Sequence, residues 1–256
     1  MIRPVSEENK IMATIRGAGK ADLIRGTKWA DILTGGDGED TIYGLEGNDS
    51  INGGDDDDRL YGGAGNDTIQ GGKGEDRLYG GDGDDRLIDS SGNDYMDGGN
   101  GNDYMNAGEG NDTMYGGAGA DTMYGGEGND RMFGGAGNDR MFGGEGDDLM
   151  LGDAGHDRLV GHEGNDTLNG GAGNDTLTGG EGADRFVFTG GRDRITDFEN
   201  GDDEIDLRSF TNINRWSDIS SKLTQSGNDV VFTNGTHTLR IEDTRLRDLD
   251  ADDFIW

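Results

Sequence analysis

One nine-residue phrase constrains this chain more than anything else in it. Three successive copies, GGAGADTMY (116–124), GGEGNDRMF (125–133) and GGAGNDRMF (134–142), set the frame. That frame extends without insertion or deletion from residue 17 to residue 187, as 19 units of nine. The sixth position is Asp in every unit, from Asp22 to Asp184. A fixed short period means stacked supersecondary units, each unable to bury its apolar face alone.

The position pattern sets the local structure. Glycines at positions one, two and four supply backbone with positive φ, and positions seven to nine read as a three-residue strand. Alternation along that strand turns position eight inward and positions seven and nine outward. Position eight runs Ile24, Leu33, Ile42, Ile51, Leu60, Ile69, Leu78, Leu87, then Met96 through Met150, then Leu159, Leu168, Leu177 and Phe186. Every member is apolar. Two units make one coil, so each unit stacks on the next but one, and two parallel sheets face each other across a single internal layer. The predicted fold is all-β, a parallel β-roll of β-helix type, about nine and a half coils and ~45 Å long at the usual strand spacing. The seven Met residues occupy the slot of the Leu and Ile around them, so core filling explains them better than a soft-metal ladder.

Such a core is too thin to be the main source of stability. The chain of 256 residues is 30% hydrophobic, with 52 Gly, one Pro and a formal charge of −32. That balance ordinarily leaves a chain disordered. The acids fall at fixed places, so a cation is the expected supplier of folding energy, and about 16 divalent ions would cancel the charge. Acidity of this size excludes nucleic acid and anionic membranes as partners. There is no Cys, no N-terminal apolar leader and no apolar run long enough to span a bilayer. Enzyme signatures are absent too: His162-Glu163 lacks the second His of H-E-x-x-H, and there is no G-x-S-x-G or Walker loop.

The phrase matches G-G-x-G-x-D-x-U-x, the nonapeptide that binds calcium in a parallel β-helix. On these residues the run resembles the RTX (repeats-in-toxin, haemolysin-type calcium-binding) family, over about two thirds of the chain. Calcium takes six to eight oxygen ligands and tolerates irregular geometry, which suits carbonyls of a glycine-rich turn plus one carboxylate. The resemblance implies calcium as cofactor, on the order of 15 ions. It implies carboxylate ligands at Asp40, Asp49, Asp58, Asp67, Asp76, Asp85, Asp94, Asp103, Asp112, Asp121, Asp130, Asp139, Asp148, Asp157, Asp166, Asp175 and Asp184. It further implies carbonyl ligands from positions two and four of one turn and positions one and three of the turn above. One such site uses Gly117, Gly119 and Asp121 with Gly134, Ala136 and Asp139. Its counterpart uses Gly126, Gly128 and Asp130 with Gly143, Glu145 and Asp148. The same scheme places carbonyl ligands at Gly99, Gly101, Gly108, Gly110, Gly116, Ala118, Gly125, Glu127, Gly135 and Gly137, and each internal Asp then bridges two ions.

Several units depart from the phrase. Lys20 and Trp29 stand where the fourth Gly belongs, so the first two units are expected to keep the strand and lose the calcium turn. Leu45, Asp56, Ala107, Asp153 and His162 each replace one Gly, and Asp89 and Ser90 replace a pair, which puts the sites touching 44–61 and 89–94 in doubt. Outside the array, residues 1–16 read as an N-terminal cap, with Ile11 to Ile15 set to pair with the first coil. Residues 188–256 read as a C-terminal cap. Phe186 to Leu207 resembles the closing segment of RTX arrays, with Asp193, Asp197 and Asp203 as further oxygen donors. Trp216 to Leu223 reads as a helix capped by Ser217, and Asp229 to Ile241 as a hairpin turning at Asn234-Gly235.

The last residues, acids followed by Phe254, Ile255 and Trp256, look like the uncleaved C-terminal signal of type I secretion substrates. That resemblance implies the type I secretion machinery as a partner and an extracellular location, where millimolar calcium folds the chain. Two alternatives stay open. An aromatic row at position nine, Tyr43, Tyr61, Tyr79, Tyr115 and Phe133, interrupted by Asp97, would suit a polysaccharide or cell surface. The array would equally suit the accessory domain of a larger secreted enzyme.

Overall fold

The computed structural model describes residues 13–256. Strands recur at every unit and alternate between two sheets. The first takes Thr14–Arg16, Ile32–Asp37, Ser50–Asp55 and so on at 18-residue steps; the second takes Leu23–Arg25, Thr41–Glu46, Arg59–Ala64 and their successors. Pairing is parallel and in register, Met114 against Met132 and Met105 against Met123. Two units per coil and two facing sheets are therefore present, the predicted parallel β-roll.

Most strands are six residues long, twice the expected length, because pairing continues through the first three positions of the next unit. Alternation continues with it, so the position-one residue faces inward beside the position-eight side chain. Its glycine is needed for space, not for φ. A Cβ on Gly116 would lie 2.5 Å from the Asp121 carboxylate and 2.5 Å from the carbonyl of Gly134. Positive φ belongs to positions two and four, such as Gly117 and Gly119.

The core is the single layer read from position eight, each member at most 5% exposed from Ile24 to Phe186. All seven Met of the array, Met96 to Met150, are fully buried in it. They are shielded in the folded roll, so their oxidation to sulfoxide is a hazard of the unfolded chain.

The nine-residue period ends at Val187, but the coil does not. Arg192–Ile195 continues the first sheet on Thr176–Glu181, and Glu204–Asp206 continues the second on Arg185–Val187. Ile195 and Ile205 extend the inner layer. The first sheet then closes with His237–Ile241, Asp229–Asn234 and Leu223–Ser226, and the second with Phe254–Ile255. Phe188, Phe210 and Phe232 plug that end of the core. The hairpin is as expected, but its two turn residues are Gly235 and Thr236, one residue on. The helix spans Trp216–Ser220 with Arg215 at the N-cap, so Ser217 lies inside it and caps nothing. The expected N-terminal cap falls mostly outside the described residues; of it, Thr14–Arg16 pairs with the strand at Ile32 as an added half-coil.

Candidate metal centre

The position-six Asp ends the turn and starts the strand, so its side chain points into the wall between coils. All 17 expected ligands from Asp40 to Asp184 are at most 3% exposed. In each, Oδ1 accepts the backbone N–H of the Asp one coil earlier, at 2.6 to 2.9 Å: Asp103 donates to Asp121, and Asp121 to Asp139. Oδ2 is buried and accepts no hydrogen bond in any of the 17. Among the described residues no array Asp at position six is ion-paired; the pairs lie elsewhere, as in Lys73 with Asp55 and Arg240 with Asp229.

A row of buried, unpaired carboxylates is costly. Burial raises the pKa of Asp58, Asp67, Asp103, Asp121, Asp157 and Asp166 to about 7, and of Asp130 to about 8. Loss of water is the main cause; the accepted N–H lowers each value, and the charge of neighbouring position-six Asp residues raises it.

At twelve of the 17, Oδ2 shares the space over the position-one glycine with a carbonyl oxygen of the next coil. At Gly116 a missing Cβ leaves a cradle between Asp121 Oδ2 and the carbonyl of Gly134, and the same arrangement recurs at Gly134 with Asp139 Oδ2 and Gly152. The carbonyls of Gly117 and Gly119 point at the coil above, toward Gly135 and Gly137. The carbonyl of Ala136 accepts the N–H of Gly119, and that of Glu145 the N–H of Gly128. Of each expected ligand set, then, the Asp Oδ2 and the position-one carbonyl meet, while the position-three carbonyl and one carboxylate oxygen are shared with backbone N–H groups. The donors are oxygen only, anionic and buried, which fits a hard cation of calcium's type and excludes a soft-metal preference.

The first two units supply the contrast. Asp31 Oδ2 accepts the N–H of Thr27 at 2.5 Å, and Asp22 Oδ2 that of Ala18 at 2.7 Å. With Lys20 and Trp29 in place of glycine, the turn folds back on its own carboxylate and engages the Oδ2 that is unshared in the later units. Units 44–52 and 53–61 behave differently from that. Leu45 and Asp56 adopt left-handed backbone at φ 91° and 81°, and the Oδ2 atoms of Asp49 and Asp58 stay unshared. Past Val187, Asp193 and Asp203 join the same ladder, accepting from Asp175 and Asp184. Asp197 instead accepts the N–H groups of Gly179 and Gly180 and staples the last turn.

Two features escaped the sequence reading. Position five, treated as variable, forms its own ladder: Asn129 Oδ1 accepts the N–H of Asp147, and Asn111 that of Asn129. Its signal was there in the recurrence of Asn at 48, 66, 93, 102, 111, 129, 138, 165 and 174. The aromatic row, moreover, is not interrupted at Asp97. Tyr95, from position seven, swings across to lie between Tyr79 and Tyr115, giving six rings in series from Tyr43 to Phe133.

The model of the RTX calcium-binding nonapeptide repeat (4 copies) matches at residues 16–51, 30–60, 52–87, 79–114, 88–123, 124–159 and 160–195. The chain belongs to this family. Its RTX repeats are a calcium-binding, structural type of sequence, so the buried oxygens stand in a calcium-binding module. No curated protein matches the sequence. Among solved structures, the AlgE6R3 subunit from the Azotobacter vinelandii mannuronan C5-epimerase is 30% identical with a TM-score of 0.38, over 46% of this chain and 77% of its own. The extracellular lipase LipA from Serratia marcescens is 22% identical with a TM-score of 0.38, over 78% of this chain and 40% of its own. No helix among the described residues is long and apolar enough to cross a membrane.

Proposed function

We propose that this RTX chain is a secreted module whose folding is driven by calcium outside the cell. The observation that carries this reading is the row of 17 buried Oδ2 atoms, Asp40 to Asp184, each without a hydrogen-bond partner and twelve of them set against a carbonyl of the next coil. In the proposed role each Asp supplies one unshared anionic oxygen, the glycine turns supply carbonyls, and about 15 ions link coils 18 residues apart in sequence. Binding energy is then folding energy. At cytosolic calcium the chain stays unfolded and threadable by the type I machinery; at roughly millimolar calcium the roll closes. The C-terminal residues fit this order of events. Phe254 is buried and packs against Trp216 in the folded state, so an export signal there is legible only before folding.

Ring geometry bears on the polysaccharide alternative. Tyr43, Tyr61 and Tyr79 stack at 4.7 and 4.8 Å with interplanar angles of 8° and 4°. Ring faces are thus covered by each other and only edges meet solvent, which favours a stiffening role over sugar stacking.

Circular dichroism at pH 8 tests the folding claim. Strand signal is expected only above a calcium threshold, with titration calorimetry counting about 15 ions. A full strand signal in excess chelator would refute it.

A further inference from the structure

Between residues 35 and 187, the unit at 89–97 carries the largest departure from the repeat, DSSG in place of GGxG. In an ordinary coil the cradle over the position-one glycine holds one Asp Oδ2 and the carbonyl of the next coil's position one, as Gly80 does with Asp85 and Gly98. Over Gly71 the nearest atoms are instead the Oδ2 of Asp89, from the coil above, and the Oδ2 of Asp76. A carboxylate oxygen has taken the place of a backbone carbonyl. Asp94, on the same unit as Asp89, completes a group whose carboxylate oxygens lie within 4.8 Å of one another. Two atoms bound to one calcium ion stand at most about 5.2 Å apart, so the spacing suits a shared ion.

Two further facts point to a ligand. Asp76, Asp89 and Asp94 are 1%, 4% and 2% exposed, and the Oδ2 atom of each has no hydrogen-bond partner. The Asp89 carboxylate is also held in place: its Oδ1 accepts the N–H of Ser90 at 2.7 Å and of Gly72 at 3.1 Å, which aims Oδ2 at the cradle. Asp94 Oδ1 is engaged with the N–H of Asp76, so its Oδ2 is the free atom there too. Among the described residues, no Lys, Arg or His pairs with any of the three.

We propose that Asp76, Asp89 and Asp94 form a three-carboxylate cation site, tighter than the repeat sites around it and the first to fill. It rests on the reading that the position-six carboxylates bind calcium. Affinity for calcium rises with the number of charged ligands, and a trivalent lanthanide gains more from that than calcium does. The unit that departs from the phrase at both of its first two glycines is then the anchor of the roll. It lies in mid-array, where one filled site holds two coils in register for ions on both sides.

The test is titration calorimetry of the full chain at pH 8 with calcium and, separately, terbium. Wild type is expected to show one step resolved from the rest by about tenfold or more in affinity. Asp89→Asn and Asp89→Gly should both lose that step and keep the remaining sites. Asp89→Gly restores the repeat residue, so strand content at saturating calcium provides the check that it folds. A tight step that survives in a folded Asp89→Gly, or its absence from wild type with the other sites filling, overturns the proposal alone. No calcium uptake by wild type overturns the reading beneath it as well.

Discussion

At the residue scale, the position-six Asp joins two kinds of bond in one side chain. Oδ1 accepts the backbone N–H of the Asp one coil earlier, and Oδ2 is left without a partner. Burial raises these carboxyls toward 6 to 8, as in Asp112 at about 6 and Asp130 at about 8. A group whose folded pKa is raised favours the fold below its unfolded pKa, and that contribution is lost as pH rises through the folded value. Metal-free roll is therefore expected to gain strand signal near pH 4 and lose it between pH 6 and 8, as circular dichroism in metal-free buffer would show. On the proposed reading, calcium acts in the opposite sense. It displaces a proton wherever the carboxyl is neutral, so the calcium midpoint should rise by up to about tenfold per pH unit below the pKa. A midpoint independent of pH between 8 and 6 would contradict the buried-carboxylate account.

At the element scale, the strands gain little from their own sequence. Each offers one apolar side chain to a single internal layer, and its remaining contacts are ladders of like on like: Asp over Asp, Asn over Asn, ring over ring. Tyr95 shows how far geometry is free to repair such a ladder. Its ring lies 5.5 Å from Tyr79 and 5.6 Å from Tyr115, filling the gap that Asp97 would leave. Two aromatic contacts at about 0.5 to 1.5 kcal/mol each put the cost of Tyr95→Ala at about 1 to 3 kcal/mol. Thermal unfolding in saturating calcium measures it, and a variant as stable as wild type would remove the ladder from the account.

At the scale of the whole molecule, a solenoid has two open ends, and unpaired edges must be covered. Here the C-terminal segment covers both sheets at one end, the hairpin on Arg192–Ile195 and the Phe254–Ile255 strand on Glu204–Asp206. Removing residues 208–256 would strip the aromatic plug from Phe188 and expose both edges. Such a variant is expected to need at least about twofold more calcium to fold and to associate at its bare end. Light scattering and a calcium titration followed by circular dichroism report the two effects; an unchanged midpoint with no association would deny the segment its capping role.

The sequence by itself determined the period, the inward row, the two-sheet coil and the Asp positions, because each is a consequence of spacing and of the two-residue alternation of a strand. Tertiary structure decided what depends on the neighbour 18 residues away. It alone distinguishes Asp31, satisfied by its own turn at Thr27, from Asp121, whose Oδ2 has no partner. It alone places the Asp89 carboxylate where a carbonyl stands in other coils, moves Tyr95 into the aromatic row, and carries the coil beyond Val187 on a strand that no longer keeps the phrase. Spacing along the chain fixes which way a side chain faces. What it meets there is set by the coil above, and for a carboxylate that decides whether an oxygen is left over for a metal.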